Sequence, residues 1–289
     1  MSGRHRRGEL PALEPTGALA LITGAAGGMG EHLAKGWCRR GGDVVLLDRD
    51  AEGLARVAAE IDAQAPAASV TTYPVDLADR TATDAVVAEV VETHPEITLL
   101  VNNAGVALGG TFEQTSPDDF DGLLEINLLA PIRITRAVLP FMLDNRRGHV
   151  VNTSSLFGLV GPAGQSAYST SKFGLRGFSE SLRSELASLG APVGVTSVHP
   201  GGIRTGIARN ARVAADVDPE EAARHQRAFA KMLSYPADQA AEEILEAAIA
   251  RRPRLLIGKD AKALDILARV LPGRYWPVMQ RLMGGATRR

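Results

Sequence analysis

Tyr168 and Lys172 stand four residues apart in "YSTSK", inside a segment (165–188) with helical spacing. Side chains at that separation share one helix face, a turn apart. A free tyrosine loses its proton near pH 10 and is a poor base at neutral pH. An ammonium beside it favours the phenolate. Lowering the pKa by about three units takes roughly 4 kcal/mol of differential stabilisation. Such a pair could exchange a proton with a substrate hydroxyl, which is worth about 10² to 10⁴ in rate. Taken alone, Y-x-x-x-K also arises by chance on exposed helix faces. Ser155, thirteen residues before Tyr168, closes the run "HVVNTSS". A hydroxyl at the C-terminal end of a parallel strand faces the crevice in which such sheets bind ligands. Ser154 is the neighbouring alternative.

A second chemistry-bearing segment lies near the start. The apolar run "ALALIT" leads into "TGAAGGMG" (23–30) and then into the helical "EHLAKGWCRR". Glycines at 24, 28 and 30 allow a tight turn and a close backbone approach to a ligand. A helix beginning there offers unpaired N–H groups and a partial positive charge to a pyrophosphate. Asp48 ends the next apolar run, 18 residues past Gly30. A carboxylate there accepts hydrogen bonds from adenosine ribose hydroxyls and repels a 2′-phosphate, which favours NAD over NADP. Arg49 works the other way, since a guanidinium could pair with that phosphate. A structural βα turn that holds no nucleotide is the plainer alternative.

The elements that must position these residues are legible as alternation. Seven apolar, β-rich runs (18–23, 43–48, 69–75, 97–101, 149–154, 193–198 and 254–258) are separated by helical segments, among them 51–64, 80–93, 118–144 and 165–188. Near-continuous apolar runs mark strands covered on both faces. Strand–helix alternation implies parallel βαβ units. The expected fold is α/β, a single doubly wound Rossmann-type domain with a parallel sheet of about seven strands over 17–258. Residues 1–16 read as a flexible lead-in, 206–235 as a lid over the site, and 259–289 as a basic amphipathic C-terminal extension.

The spacing T-G-x-x-x-G-x-G, with Ser155, Tyr168 and Lys172 at these intervals, resembles the classical short-chain dehydrogenase/reductase family over roughly 18–258. The resemblance implies a catalytic tetrad of Asn127 (in "LEINLLAP"), Ser155, Tyr168 and Lys172. In it Ser155 orients the substrate oxygen, Tyr168 is the acid/base, Lys172 lowers the tyrosine pKa and holds the ribose, and Asn127 supports a proton relay. On its residue type alone, Asn127 reads equally as a buried amide satisfying helix backbone. The same resemblance gives cofactor contacts to Thr23, Gly24, Gly28, Met29 and Gly30 in the glycine turn, and to Asp48 and Arg49 after the second strand. "VDL" adds Asp76 and Leu77. "NNAG" adds Asn103, Ala104 and Gly105, with Asn102 beside the adenosine ribose. "HPGGIRT" adds Pro200, Gly201, Ile203 and Thr205, the last two at the carboxamide. The implied reaction is hydride transfer between NAD(H) and a carbinol or carbonyl carbon. A dimer or tetramer formed through 118–144 and 165–188 is likewise implied.

Composition narrows the alternatives. Of 289 residues 45% are hydrophobic and 22% charged, which is globular rather than disordered. A net charge of −1 argues against a general nucleic-acid binder. One cysteine excludes a disulfide framework and a cysteine-based metal site, and the six histidines form no zinc-binding pattern. The lead-in lacks the apolar stretch of a secretory signal, so a cytoplasmic protein without a metal is expected. Residues 251–289 hold ten Lys/Arg against two Asp/Glu, so the tail could touch an anionic membrane surface, although packing on the lid or a sister subunit is favoured. Leu156, Phe157, Leu159, Val160 and Pro162 form an expected apolar wall, which points to a small hydrophobic alcohol or ketone as substrate.

Overall fold

Seven apolar runs form seven strands, because each has hydrophobic side chains for both faces of a covered sheet. They are β1 (Leu19–Thr23), β2 (Asp43–Asp48), β3 (Val70–Pro74), β4 (Ile97–Asn102), β5 (Gly148–Thr153), β6 (Val193–Pro200) and β7 (Arg254–Ile257). Every residue of β1, β4 and β5 is buried. The computed structural model describes residues 10–206, 212–213, 217, 220, 227, 230 and 233–282. All neighbours in the sheet run parallel, in the order β3-β2-β1-β4-β5-β6-β7. Ile22 of β1 stands opposite Leu46 of β2 on one side and Val101 of β4 on the other. The winding direction reverses between β1 and β4, and a crevice opens at such a switch point beyond the strand ends.

The helices are α1 (Gly28–Cys38), α2 (Ala51–Gln64), α3 (Arg80–Thr93), α4 (Pro117–Leu124), α5 (Ala130–Asp144), α6 (Ser166–Ser188), α7 (Ala237–Ile249), α8 (Lys259–Val270) and α9 (Tyr275–Leu282). Side chains of α1, α2 and α7 build one core against β1, β2 and β7, with Trp37 fully buried and its indole N–H donated to the Ala18 carbonyl. Residues of α3, α5 and α6 build the second core on the opposite face. Local signals start these helices where expected. Asp50 accepts from the Gly53 amide, Asp79 from Ala82, and Ser116 from Asp119 just ahead of Pro117.

Three expectations need correction. The single helix over 118–144 is interrupted by a π-helical turn, Glu125–Leu129, between α4 and α5. Pro131 lacks an N–H to give the Asn127 carbonyl four residues earlier, which removes one α rung here, and the Ala130 amide reaches back five residues to the Glu125 carbonyl. Residues 10–16 are not a loose lead-in. Leu13 is fully buried in the first core, and its amide donates to the Ile249 carbonyl at 2.8 Å. The C-terminal extension, expected on the lid or a sister subunit, packs α8 and α9 on the chain's own wall at 156–160 through Ala261, Leu264, Ala268 and Tyr275.

The lid expected over 206–235 lies mostly outside the described residues. Its flanks are held by two short parallel pairs, Ile203–Arg204 with Tyr235–Pro236 and Leu108–Gly109 with Arg212–Val213. Among the described residues, the helical stretch Pro117–Asp144 alone is long and apolar enough to cross a membrane. Its inner face is taken by the core through fully buried Ile134, Val138 and Met142.

Candidate active site

The first turn of α6 sits under β5, which puts Tyr168 and Lys172 on its buried face. The Lys172 ammonium donates to the Thr153 carbonyl at 2.9 Å and lies 5.7 Å from the centre of the Tyr168 ring. Burial with no carboxylate partner pushes Lys172 down to about 8. Tyr168 is shifted upward, chiefly by burial, with the Ser155 hydroxyl pulling the other way. In the protein without cofactor, desolvation of the phenolate outweighs the Ser155 hydrogen bond, so Tyr168 is protonated at neutral pH. Phe157 packs edge-on against its ring at 6.1 Å.

Ser155 and Ser154 have different surroundings. Ser154 donates its hydroxyl to the Lys172 carbonyl at 2.8 Å and is fixed to α6. Ser155 starts the short 3₁₀ turn Leu156–Gly158, where its Oγ accepts from the Phe157 amide at 3.1 Å and also reaches Tyr168. Behind it, the fully buried His199 places Nδ1 3.3 Å from the Ser155 carbonyl and Nε2 3.1 Å from the Ser197 hydroxyl. Burial, followed by the charge of Arg254, lowers His199 to about 4, so it is neutral at physiological pH. Asn127 is also fully buried. Its side chain exchanges two 2.9 Å bonds with the Val106 backbone and donates to Ser171 at 3.3 Å. It therefore satisfies backbone of the segment after β4 rather than helix backbone. It also lies close to the lysine: a Cβ built on Gly105 would be 3.4 Å from Asn127 Oδ1 and 3.3 Å from Lys172 Nζ.

The glycine turn closes the other side of the cleft. Gly24 and Gly28 adopt φ of +68° and +59°, and a Cβ on Gly30 would stand 1.9 Å from the Gly24 carbonyl oxygen. Thr23 ties the ends of β1 and β4 together, its Oγ1 accepting from the amides of Asn103 and Ala104. The Asn103 side chain donates to the carbonyls of Thr23 and Gly24. Asn102 is displaced from its expected place near the ribose. It is buried under α5, donating to Asn152, Thr135 and Pro131, because successive strand residues point to opposite faces. Asp48 closes β2 with both oxygens engaged, accepting from the amides of Ala26 at 3.0 Å and Asp50 at 3.1 Å. Arg49 is exposed beside it. Asp76 is exposed beyond β3 and accepts from Ala78, while Leu77 is buried.

The cleft itself is lined by Met29, Asn103 and Gly105 from the nucleotide side and by Ser155, Tyr168 and Lys172 from the catalytic side. The turn after β6 adds Pro200, Gly201, Ile203 and Thr205, with Thr205 packed over Gly28. Leu156 and Phe157 of the expected apolar wall reach the cleft. Leu159 and Val160 are buried behind it, and Pro162 is half-buried outside the lining.

Comparison with known proteins gives the same grouping. A family model described as short chain dehydrogenase matches residues 18–216. The chain belongs to the short-chain dehydrogenase family. The chain is 38% identical over 264 residues to a putative oxidoreductase, SadH, of Mycobacterium tuberculosis, covering 90% of this chain and 92% of that one. It is 32% identical to the Bos taurus dehydrogenase/reductase SDR family member 7B, covering 91% and 80%. Among solved structures, a Burkholderia phymatum short-chain dehydrogenase/reductase in complex with NAD superposes with a TM-score of 0.82 at 28% identity, covering 90% and 95%. A Sphingobium yanoikuyae short-chain dehydrogenase in complex with NADPH gives 0.73 at 27%, covering 94% and 97%. The chain is thus an oxidoreductase of a family whose members bind NAD or NADP.

The residues of this chain fit such a dinucleotide. At Gly24 and Gly30 the glycine turn leaves no room for a side chain, and α1 begins without a side-chain cap on its first amides. Two buried polar atoms of cleft-lining residues, Asn103 Oδ1 and Thr153 Oγ1, have no protein partner. The sequence motifs did not single out four contributors to the lining: Thr153, Gly202, Leu233 and Asp260. His199, behind Ser155, was also missed as a site residue. It could have been noted as the residue before the Pro200–Gly201 turn, whereas Asp260 is distant in sequence and bears no motif of its own.

Proposed function

We propose that this cleft interconverts a hydrophobic alcohol and its ketone or aldehyde, using NAD in preference to NADP. The observation that carries this reading is the convergence of Ser155, Tyr168 and Lys172 on one cleft that Met29 of the glycine turn also lines. The nicotinamide, when bound, supplies or accepts the hydride. Tyr168 gives a proton to the oxygen formed on reduction and takes it back on oxidation. Ser155 holds that oxygen next to the phenol. Lys172 contributes positive charge beside the phenolate, and Asn127 keeps the backbone near Gly105 in place. Leu156, Phe157 and Leu233 favour an apolar substrate body.

Asp48 supports the NAD preference. Both its oxygens are pinned by backbone amides, so the carboxylate cannot swing away from a 2′-phosphate. For assembly we infer a homodimer or homotetramer through α5 and α6, where Ile132, Leu139, Phe178 and Leu182 line a shared groove and Leu129 and Phe173 are exposed nearby. Calorimetric titration with NAD and with NADP, followed by a screen of hydrophobic secondary alcohols for nicotinamide reduction, tests the proposal. NAD binding well above NADP supports the Asp48 reading. Binding of neither by a folded protein would overturn the cofactor assignment.

A further inference from the structure

Asp260 is the second residue of α8, and its carboxylate turns back across Gly258 toward the cleft. Oδ2 accepts the Gly202 amide at 2.8 Å. A Cβ on Gly201 would be 2.1 Å from Oδ1, and one on Gly258 would be 2.4 Å from it. Gly258 also has φ +92°, a conformation that side chains rarely adopt. Two glycines thus make room for one acid. On the opposite side, the Gly202 carbonyl accepts from the amides of Ser234 and Tyr235 at 3.0 Å each. The two peptide groups flanking the Gly202 Cα are therefore each held, one of them by the C-terminal extension.

That extension is fixed to the Ser155 side of the cleft. Ala261 packs with Leu156 and Val160, and the Tyr275 hydroxyl accepts the Gly161 amide at 3.0 Å. Asp265 on α8 accepts two bonds from Arg254 of β7. Helix α8 thus links the wall carrying Ser155 to the turn carrying Ile203 and Thr205. We propose that Asp260 is a positioning residue that sets the 201–205 turn and, through it, affinity for the nicotinamide half of the cofactor. This rests on the dinucleotide reading of the cleft.

The test is calorimetric binding of NAD and of ADP-ribose, which lacks the nicotinamide, to wild type, Asp260→Ala and Asp260→Asn. If wild type prefers NADP, that cofactor and 2′-phospho-ADP-ribose replace the pair. Asp260→Ala is expected to weaken NAD about tenfold or more while ADP-ribose stays within about twofold. Asp260→Asn keeps an oxygen for the Gly202 N–H and should recover NAD binding to within about threefold of wild type. Should the alanine variant fold poorly, Asp260→Glu, which displaces the carboxylate, is expected to give the same selective loss. Unchanged NAD affinity in Asp260→Ala, or equal losses for both ligands, would overturn the proposal. Failure of wild type to bind either nucleotide would instead refute the cofactor reading on which it stands.

Discussion

Replacing Gly30 by alanine tests the nucleotide turn through sterics alone. The new Cβ would lie 1.9 Å from the Gly24 carbonyl oxygen, 2.7 Å from its carbon and 2.9 Å from Asn103 Nδ2. Real Cβ contacts stay beyond 3.0 Å, so the turn must open by roughly 1 Å against backbone that cannot rotate away. Overpacking of this kind costs about 1–3 kcal/mol. For a domain of this size that lowers Tm by roughly 2–10 °C. The same opening moves the amides at the start of α1 and should weaken NAD by about tenfold to a hundredfold, or 1.4–2.8 kcal/mol. Gly27→Ala is the internal control. Its Cβ meets nothing within 4 Å and its φ of −172° is ordinary extended backbone, so Tm should hold to within about 2 °C. Thermal scanning without cofactor, followed by calorimetric titration, reads both quantities. A Gly30→Ala protein with wild-type Tm and NAD affinity would refute the reasoning, as would a Gly27→Ala protein destabilised to the same degree.

Two further predictions concern buried titratable groups. Lys172 is held near 8 against its usual 10.5, so in the protein without cofactor its charge is a stability cost below about pH 8. Lys172→Met should therefore raise Tm at pH 7 while abolishing activity, and its advantage should shrink as pH climbs from about 8 to 10.5, where the unfolded lysine loses its proton. A thermal scan across that range checks it, and a variant less stable than wild type at pH 7 would count against the burial argument. His149, lowered to about 3, and His199, lowered to about 4, are both fully buried, with desolvation as the main cause. Their unfolded forms take up protons near pH 6.5 and the folded forms do not, so stability falls as pH drops below 6.5. By pH 5 the loss is about 2 kcal/mol for each. Urea unfolding of wild type and His149→Gln at pH 7 and pH 5 should show a smaller loss in the variant.

Much of this fold was legible because its elements announce themselves by pattern. The runs that become β1, β4 and β5 are apolar almost without break, and Asp50, Asp79 and Ser116 mark helix starts at the residue where the structure puts them. The shared face of Tyr168 and Lys172 followed from their spacing in a helix, whereas Ser155 joined them through the family resemblance. What escaped depended on contacts distant in sequence. Asn102 and Asn103 are identical by type, and only the strand's facing decides that the second reaches the cleft. The π turn around Asn127 accompanies Pro131, four residues on, a local cue hidden inside a continuous helical pattern. Asp260 meets Gly202 across 58 positions, and no periodicity links them. The upward shift of Tyr168 reflects burial, which a count of neighbouring charges in the sequence does not include.

The most direct test of the proposed chemistry is Tyr168→Phe. The change removes one hydroxyl from a buried ring and leaves the glycine turn and Asp48 untouched. Calorimetric NAD affinity should stay near that of wild type, while turnover of the best alcohol substrate falls by about 10² to 10⁴. Full turnover in Tyr168→Phe, with NAD bound as in wild type, would contradict the proposed assignment of Tyr168 as the acid/base of this site.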